Sequence, residues 1–568
     1  MQPYVLVPAT GSEQADEWQR LGLEAHVAGN LPQAQGRYMQ ALRLDPRHIP
    51  STVNLAVVYA QSSLTNEGLL ALERAILFSP EHHLARVNHA LICLELDRID
   101  EALTSAQKAV ELSPEDPSAI LTLAIVSTTA GHPERSVPLY NQILDKDPKH
   151  PSAGANSCFV QTLASFTPKD LLAQRRRWRD AHKSESHYTA HKNDRSLDRP
   201  LKVGYVGGDF KQHSAAFIFG RVLLHHSTAV QPYFYSSLPV DPAADSRTKQ
   251  FQAKGQWRDI EKLSDGEAAK LVVEDQIDIL VDLAGHTNGG RLALFTKTPA
   301  PIQATAWGFA HGTGLPEIDY FFADPIAVPA EERGDFAEQI IDLPCIVTLE
   351  PPEEYQLKGT SQAPCRRNDY ITFGCYARYE KLSDECLRAF AEILRQVPSS
   401  RLQFKDNAFR RPYSIKRILE LMSDIAPERL LFSLATSHPD HMLAYQQADL
   451  MLDPWPHGGG IVCLEGLYQG VPLVTLYGTQ PSGRSASSVL FQMGLSGRHV
   501  ANSPEEYIEK AVALAQDERY LSEQRKTLRQ QLLDSPVVKG YPEAVEKAYR
   551  EAWIKWCRQN NSSPSQSE

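Results

Sequence analysis

Small and apolar residues recur every 34 positions in the first quarter of the chain, among polar and charged residues. The recurring positions are Ala34, Gly68, Ala102 and Ser136, then Ala41, Ala75 and Ala109, then Pro46, Pro80, Pro114 and Pro148. Small side chains allow two helices to cross closely, and a proline ends the second helix because it lacks the N–H that the helix needs. The period therefore predicts about four helix pairs over residues 15–150.

The first copy of this period carries further features of a known repeat. Its characteristic residues are Trp18, Leu21, Gly22, Gly29, Ala34, Tyr38, Ala41 and Pro46. This register resembles the tetratricopeptide (TPR) repeat, a helix–turn–helix of about 34 residues. Stacked helix pairs form a superhelix with a concave surface that binds protein segments. We expect a polypeptide partner along this groove, and a helical cap or linker over residues 151–198.

After residue 198 the pattern changes to short apolar runs that alternate with helical segments. The predicted strands are Leu201–Val206, Tyr233–Ser237, Ile279–Leu283, Ile302–Trp307 and Gln339–Leu343, then Tyr370–Cys375, Arg401–Lys405, Leu430–Ser433, Leu450–Asp453 and Pro472–Tyr477. Such alternation is typical of parallel, doubly wound sheets with ligands at the carboxyl ends of the strands. We expect Rossmann-like halves over residues 199–348 and 369–560, a linker over 349–368 and a disordered tail over 561–568.

Composition places the chain among globular proteins. Of its 568 residues, 42% are hydrophobic and 22% are charged, and the net charge of -11 comes without a basic stripe, so we expect no nucleic-acid partner. No run of about 18 apolar residues predicts a membrane span. The eight cysteines form no Cys-x-x-Cys pair, and the first residues lack the pattern of a signal peptide. We therefore expect a cytoplasmic protein with reduced thiols.

Common cofactor and metal motifs are absent from the sequence. It contains neither the Gly-x-x-x-x-Gly-Lys-Ser/Thr loop of ATPases nor the strand-bound Gly-x-Gly-x-x-Gly of nicotinamide dehydrogenases. It has no His-Glu-x-x-His motif, and its histidines show no clear metal-ligand spacing. The sequence therefore predicts no bound cofactor and no metal site.

Two loops of the first half carry candidate chemistry. His213 follows the first predicted strand, where Gly207 and Gly208 would let a ligand come close. Its ring could accept a proton near pH 7, although an exposed histidine without a role is the simpler explanation. Gly308 lies in a glycine-rich stretch that fits either a sugar-facing loop or an ordinary turn.

Two loops of the second half favour a bound anion. Arg378 and Lys381 follow the first strand of this half and could bind phosphate, or could be solvated cations at a helix start. The glycine triplet Gly458–Gly460 separates an apolar strand from an apolar helix. Free amides at a helix N-terminus bind phosphate, and glycines let it come close. Glu465 lies a little over one turn into this helix, where a carboxylate could accept from ribose hydroxyls.

The order of these motifs along the chain carries a family resemblance. After the repeats come GYVGGDFKQH, DLAGHTNGGR with PAPIQ, GFAHGTGLPEIDY, FGCYARYEKLS, and DPWPHGGGIVCLEGLYQGVPLVTLYG with GRSASS. In this order they resemble the TPR-containing O-linked N-acetylglucosaminyltransferases, and the few repeats and short linker look like a bacterial homologue. The resemblance covers about residues 15–555 and implies an α-helical TPR superhelix followed by an α/β GT-B fold of two Rossmann-like domains.

The resemblance also implies an activity and a set of site residues. Such enzymes transfer N-acetylglucosamine from UDP-GlcNAc to Ser or Thr hydroxyls of proteins with inversion, and this implies no cofactor or metal. By motif, the expected catalytic residues are His213 and Lys381, and the expected substrate-binding residues are Arg378, Thr436, His438, His441, Gly458, Gly459, Gly460, Glu465 and Gly308. His213 matches the candidate base and Lys381 the lysine on the diphosphate. His441 matches the histidine on uracil, and Glu465 the acidic residue on the ribose.

Two other functions stay open from the sequence. The run Ile461–Cys463 replaces the threonine-rich helix start of the family, which would suit a related protein glycosyltransferase with another nucleotide sugar such as GDP-fucose. A non-catalytic TPR scaffold that binds a sugar nucleotide is the other alternative. His213, Lys381 and Glu465 together favour an enzyme. The expected partners are thus a nucleotide sugar and a polypeptide acceptor.

Overall fold

The computed structural model describes residues 4–8, 13–241, 245–351 and 362–561. These residues form two compact units. The first is drawn from Met1–Ala153 and Ala408–Ile418, and the second from Gly154–Asn407 and Leu419–Glu568. Each unit has its own hydrophobic core.

The first unit is an array of helices that pack in pairs along the chain. They are α1 (Glu13–Val27), α2 (Leu31–Leu44), α3 (Ile49–Gln61), α4 (Thr65–Phe78), α5 (His83–Glu95), α6 (Ile99–Leu112), α7 (Pro117–Thr129) and α8 (Pro133–Lys146). α1 packs against α2, α3 against α4, α5 against α6, and α7 against α8. The helical repeats expected from the 34-residue period are confirmed.

The prolines of the period follow the second helix of each pair. The Asp45 N–H closes α2 by donating to the Ala41 carbonyl at 2.9 Å, and Pro46 comes next. The same order ends α4, α6 and α8 before Pro80, Pro114 and Pro148. Because proline cannot continue the hydrogen-bond ladder, these positions set the length of the repeat.

The small residues of the period lie where the helices of a pair cross. Gly68 on α4 is so close to α3 that a Cβ atom would lie 2.8 Å from the Ala56 carbonyl oxygen. Ala34 and Ala102, at the same position of α2 and α6, are fully buried. A larger residue at any of these positions would push the two helices apart.

The second unit begins with two helices and a parallel sheet. Helices α9 (Ala153–Val160) and α10 (Pro168–His182) precede the strands β1 (Leu201–Gly207), β2 (Val230–Ser236), β3 (Gln256–Asp259), β4 (Ile279–Asp282), β5 (Ile302–Thr305), β6 (Tyr320–Ala323) and β7 (Gln339–Asp342). The strands are joined in the order β3-β2-β1-β4-β5-β6-β7. Between them lie α11 (Ser214–Leu223), α12 (Ser246–Lys254), α13 (Asp265–Glu274) and α14 (Leu292–Phe295).

A second parallel sheet follows. Its strands are β8 (Thr372–Cys375), β9 (Arg401–Lys405), β10 (Leu430–Ser433), β11 (Leu450–Leu452), β12 (Leu473–Leu476) and β13 (Val500–Ala501), in the order β10-β9-β8-β11-β12-β13. The helices along this stretch of the chain are α15 (Cys365–Asn368), α16 (Asp384–Gln396), α17 (Pro412–Leu421), α18 (His438–Ala444), α19 (Ile461–Tyr468), α20 (Pro481–Gln492), α21 (Ser496–His499), α22 (Pro504–Ala515), α23 (Glu518–Asp534) and α24 (Tyr541–Asn561). Residues 412–418 of α17 belong to the first unit.

The predicted fold class is confirmed: helical repeats precede two doubly wound parallel sheets. All ten predicted strands are present, but the sequence missed β3, β6 and β13. β3 is a partly exposed edge strand of mixed polarity and β13 has two residues, so neither produces an apolar run. β6 has four residues, all buried, and is too short to be told from a buried loop.

Two predicted connecting segments lie partly or wholly outside the described residues. Residues 352–361 of the predicted linker and 562–568 of the predicted tail belong to this group. Asn561, which we assigned to the tail, is the last residue of α24. In the described ranges, no helix combines the length and the apolar character needed to cross a membrane.

Helix α24 follows the second sheet but packs on the first half. It contacts α11, and the Tyr549 hydroxyl lies 3.2 Å from the Tyr205 hydroxyl of β1. Its Glu546 accepts from the Ser227 hydroxyl at 2.6 Å and from the Ser227 N–H at 2.7 Å. The two halves of this unit are therefore linked by the helix as well as by the chain between their sheets.

The crossing of α3 and α4 gives a first prediction. Gly68→Ala should lower the free energy of unfolding by about 1–3 kcal/mol, because its Cβ would meet backbone rather than a flexible side chain. Gly36→Ala in α2 is the matched control: its Cβ meets nothing within 4 Å, and alanine should add about 0.5–1 kcal/mol. Urea unfolding followed by circular dichroism measures both. Equal midpoints for the two variants would contradict the close crossing.

Candidate active site

Every predicted site residue lies on a loop or helix start at the carboxyl end of a strand. His213 follows β1, Gly308 follows β5, Arg378 and Lys381 follow β8, Thr436, His438 and His441 follow β10, and Gly458–Gly460 and Glu465 follow β11. In each sheet the strand order reverses beside its first strand, between β1 and β4 and between β8 and β11. Open parallel sheets bind ligands at this point.

A buried aspartate at the carboxyl end of the fourth strand of each sheet binds the local loops: Asp282 is the last residue of β4, and Asp453 directly follows β11. Asp282 accepts from the Thr305 hydroxyl of the neighbouring strand at 2.8 Å. In the second sheet Asp453 accepts from the Thr475 hydroxyl at 2.7 Å and from the Gly459 N–H at 2.6 Å. Burial raises the pKa of both carboxyls. The two halves thus use one device to connect adjacent strands and the loop after them.

Gly308 lies against the loop that follows β4. A Cβ atom there would lie 1.5 Å from the Leu283 carbonyl oxygen, so the contact requires glycine. The preceding residue, Trp307, has a φ of +56°, and its indole N–H donates to the Tyr541 hydroxyl at 3.1 Å. Gly308 is therefore part of a close backbone contact between two loops of the first half, at the edge of the candidate site.

His213 caps the start of α11, and its ring is exposed. Its Nδ1 lies 3.4 Å from an Asp209 carboxylate oxygen and 3.3 Å from the Ala215 N–H. In the described part of the chain, Nε2 has no hydrogen-bond partner. In the cap, Nδ1 accepts from the Ala215 N–H, and Nε2 then carries the ring proton. In the other tautomer Nδ1–H points to Asp209, and Nε2 can take a proton from a hydroxyl.

Lys381 reaches the glycine triplet from the loop after β8. Its ammonium donates to the Gly458 carbonyl at 2.8 Å. Burial and the nearby Arg378 cation lower the pKa of Lys381 below the usual range of lysine. A negative charge beside the ammonium would favour its protonated form. The structure thus brings together two features that the sequence offered separately as anion sites.

The glycine triplet opens α19, with Gly460 as the N-cap. The first N–H groups of a helix have no partner within it and carry partial positive charge. A Cβ at Gly459 would lie 2.5 Å from the Val462 side chain, so the turn before the helix is tight. The Cys463 thiol donates to Asp453 at 3.3 Å and therefore points into the protein, away from an anion that approaches the amides.

A hydrogen-bonded cluster surrounds the buried carboxylate of Glu465. His438 Nε2 donates to one carboxylate oxygen at 2.7 Å, and the Tyr445 hydroxyl donates to the other at 3.1 Å. His441 Nε2 lies 3.1 Å from that hydroxyl. Burial lowers the pKa of His441, so its ring is neutral at pH 7. His438, His441 and Glu465, which the sequence placed among the substrate-binding residues, are thus adjacent.

An aromatic contact joins this cluster to the first half of the unit. The Phe217 ring of α11 stacks on the His438 ring, with 4.3 Å between the centroids and 22° between the planes. Phe217 lies one turn after His213, and a helical turn rises about 5.4 Å. The contact therefore brings the His213 loop of the first half near the Glu465 cluster of the second.

Two predicted residues lie apart from these contacts. The exposed Arg378 has its guanidinium 5.6 Å from the centre of the Phe159 ring, next to α9. The hydroxyl of the exposed Thr436 accepts from the buried Lys405 ammonium at 2.9 Å. Contact of Arg378 and Thr436 with a substrate stays a prediction.

A buried histidine, His311, and a half-buried one, His457, lie beside the glycine triplet. His457 precedes the triplet, and its Nδ1 donates to the Thr162 carbonyl at 3.1 Å. The His311 ring lies 6.4 Å from the His457 ring, and neither of its nitrogens has a hydrogen-bond partner in the described residues. Burial lowers the pKa of both, so both rings are neutral. Polar atoms buried without a partner cost free energy unless a ligand satisfies them.

The cysteines are free thiols, and the described residues contain no candidate metal site. All eight cysteines are buried and none forms a disulfide. Across the ranges that the structure describes, no group of three or more His, Cys, Asp or Glu side chains could hold a metal ion.

Four residues of the site were not predicted from the sequence: Asp209, Phe217, Tyr445 and Asp453. Tyr445 follows His441 by one helical turn, so a search for partners at this spacing would have found it. Asp209 precedes His213 by four residues, which is a similar local signal. Phe217 gave no signal, because its partner His438 belongs to the other half.

The chain was compared with known proteins. It matches the profile of glycosyl transferase family 41 over residues 177–348 and 350–544, more than half of its length. It is 35% identical over 381 residues to the Hordeum vulgare protein named probable UDP-N-acetylglucosamine–peptide N-acetylglucosaminyltransferase SPINDLY, a match that covers 65% of this chain and 40% of that protein. The Arabidopsis thaliana protein of the same name is 35% identical over 383 residues, covering 65% of this chain and 41% of that protein.

A solved structure has the same architecture. An O-GlcNAc transferase variant from Thermobaculum terrenum is 27% identical with a TM-score of 0.77, and the match covers 90% of this chain and 98% of that one. This chain spans about 40% of the length of the curated relatives. The family resemblance inferred from the motifs is confirmed, and the chain belongs to glycosyl transferase family 41.

Proposed function

We propose that this chain is an inverting glycosyltransferase that transfers N-acetylglucosamine from UDP-GlcNAc to Ser or Thr hydroxyls of proteins. The observation that carries the proposal is the convergence of Lys381, the glycine triplet and the Glu465 cluster at the start of α19. These groups suit a diphosphate joined to a nucleoside. The names of the relatives, UDP-N-acetylglucosamine–peptide N-acetylglucosaminyltransferases, support this donor and acceptor.

The donor half of the site would stabilise the leaving group. As the acceptor oxygen attacks C1 of the sugar, the C1–oxygen bond to UDP breaks and negative charge grows on the diphosphate. The Lys381 ammonium and the free amides of α19 would meet this charge, and such preorganised donors are each worth about 2.7–4 kcal/mol. Glu465 would accept from the ribose hydroxyls, and the neutral His441 ring would lie on the uracil.

The acceptor half would remove a proton. The hydroxyl of Ser or Thr loses its proton as its oxygen bonds to C1, on the face opposite UDP. His213 Nε2 would take this proton, while Asp209 holds Nδ1 and stabilises the charged ring. A well-placed base of this kind contributes about 10²–10⁴-fold. The polypeptide that carries the hydroxyl would lie along the TPR repeats.

His311 and His457 would contact the sugar. His457 directly precedes the triplet where the diphosphate would bind, and the neutral His311 ring beside it offers two nitrogens that the described chain leaves without partners. A sugar hydroxyl or amide at this place would supply the missing hydrogen bonds.

We further propose that transfer requires no metal and takes place in the cytoplasm. A divalent ion on UDP would neutralise the charge that Lys381 and the α19 amides already face. The eight buried free thiols suit a reducing compartment.

The two halves of the site should separate donor binding from transfer. His213→Ala should bind UDP within about twofold of the parent but lose transfer by about 10²-fold or more, because only the base is removed. His441→Ala should lose UDP affinity by about fivefold or more, or about 1 kcal/mol, because its partner is the uracil. Isothermal titration with UDP and a peptide transfer assay measure the two effects.

His225→Ala is the matched control for both variants, since His225 is exposed just beyond the other end of α11. It should leave binding and transfer unchanged. Full transfer by His213→Ala would refute the proposed base. The same titration and assay with GDP and GDP-fucose would identify a different donor, and a parent that binds UDP yet glycosylates no peptide would indicate a non-catalytic scaffold.

UDP affinity should depend on pH through Lys381. Its pKa is lowered in the free protein, so the ammonium loses its proton as the pH rises above neutrality. The diphosphate favours the charged form, and binding must then take up a proton. Affinity should therefore fall between pH 7 and 9, by up to about tenfold per pH unit. Lys381→Arg stays charged over this range and should show a flat profile; parallel profiles for the two proteins would exclude Lys381 as the phosphate ligand.

Metal removal gives a simple further test. Transfer by the parent should be unchanged in EDTA and should not rise when Mg²⁺ or Mn²⁺ is added, because Lys381 and the helix amides carry the positive charge. If EDTA lowers the transfer rate by more than about tenfold and Mg²⁺ restores it, a bound metal ion rather than Lys381 and the helix amides neutralises the diphosphate.

A further inference from the structure

Residues 4–8 lie across the first helices of successive TPR repeats and bind them through main-chain atoms. Asn88 of α5 accepts from the Val5 N–H at 2.8 Å and donates to the Val5 carbonyl at 2.7 Å. Asn54 of α3 accepts from the Val7 N–H at 2.7 Å and donates to the Val7 carbonyl at 2.8 Å. Each asparagine therefore satisfies both polar groups of one residue. We call the surface formed by Gln19, Asn54 and Asn88 the repeat groove.

In this contact the 34-residue period of the repeats matches the two-residue period of an extended chain. Asn54 and Asn88 are the sixth residues of α3 and α5, one 34-residue repeat apart. Val5 and Val7 are two residues apart, and an extended chain presents every second residue to the same side. A side-chain amide has donors and an acceptor, so it can bind one N–H and one C=O together. One repeat of the array thus corresponds to two residues of an extended segment.

Other contacts hold the segment in place. The Gln19 side chain of α1 donates to the Val7 carbonyl at 2.6 Å. The Val7 side chain is buried in the core of the repeats, and the Tyr4 hydroxyl donates to Glu95. Gln19, Asn54 and Asn88 are all completely buried. The segment therefore covers polar side chains that would otherwise face the solvent.

The asparagines of the groove bind main-chain N–H and C=O groups of the occupant, so the groove does not require one particular sequence. Any extended segment with N–H groups at the two paired positions could replace residues 4–8. We propose that residues 4–8 are an intramolecular competitor in the repeat groove, and that an incoming extended polypeptide segment must displace them to bind. The binding itself is independent of the proposed transfer; only the identity of the incoming segment as an acceptor rests on it.

Tethering makes such a competitor effective. A segment joined to its site by a short linker acts at an effective concentration in the millimolar range. A separate peptide with the same contacts must therefore bind less tightly while residues 4–8 are in place. Weakening the internal segment should expose the groove without changing Gln19, Asn54 or Asn88.

The test uses a fluorescent peptide with the sequence of residues 1–12 and the full chain. Val5→Pro/Val7→Pro removes the two N–H groups that bind the asparagines, and should bind the peptide at least about tenfold more tightly than the parent does in an anisotropy titration. Leu6→Pro is the matched control: it places proline between the two positions and keeps both N–H groups. It should bind the peptide as weakly as the parent.

A second variant shows where the peptide binds. Asn54→Ala/Asn88→Ala, added to Val5→Pro/Val7→Pro, should reduce the peptide affinity by about tenfold or more while the helical circular dichroism is kept. In the parent, the amides of Val5 and Val7 should exchange hydrogen slowly, because both donate to asparagines, and they should exchange faster in Asn54→Ala/Asn88→Ala. Equal peptide affinity of the parent and Val5→Pro/Val7→Pro, or unprotected amides in the parent, would overturn the proposal.

The link to transfer is measured separately. With a peptide acceptor, Val5→Pro/Val7→Pro should lower KM and leave kcat unchanged, because the segment competes for binding and takes no part in chemistry. If the parent transfers no sugar, the proposed function fails while the anisotropy and exchange results still decide the competitor. If transfer occurs but KM is the same in the two proteins, the segment does not compete with acceptors.

Discussion

The candidate donor site depends on the buried carboxylate of Asp453. It accepts from the Gly459 N–H, from the Cys463 thiol and from a hydroxyl of the neighbouring strand β12. A buried carboxylate is costly unless its oxygens are satisfied, and here the loop that it organises satisfies them. These hydrogen bonds to Asp453 fix the turn that leads into α19. Because Lys381 binds the carbonyl of the adjacent Gly458, the position of the cation follows from the same carboxylate.

The first half has the same arrangement at Asp282, where the loop after β4 meets Gly308. The halves are then held together at two places. Phe217 stacks on His438 at the cleft, and α24 returns from the second sheet to pack on α11. The proposed base on one half and the proposed leaving-group site on the other can act on one substrate only if such contacts fix their separation, since misplacement by about 1 Å can cost 10²-fold in rate.

The 34-residue period of the repeats aligns polar side chains as well as the small residues at helix crossings. The 34-residue step that aligns alanines at helix crossings also aligns Asn54 with Asn88. The same 34-residue spacing therefore serves helix packing and the contact with residues 4–8. An extended chain fits this spacing because every second residue faces the same side. Since the asparagines contact N–H and C=O groups, this surface can select for extended conformation more than for side chains. Residues 4–8 show that occupation directly.

The sequence by itself determined the helix pairs and ten of the strands, because the 34-residue period and the apolar runs are local patterns. It also located His213, Lys381 and Glu465, since glycine-rich turns at strand ends are local as well. Only the tertiary structure decided that Lys381 meets Gly458, that Phe217 meets His438, and that the polar edge strand β3 joins the first sheet. The physical reason is that burial and pairing join residues distant in the chain, and no local window of sequence contains both partners.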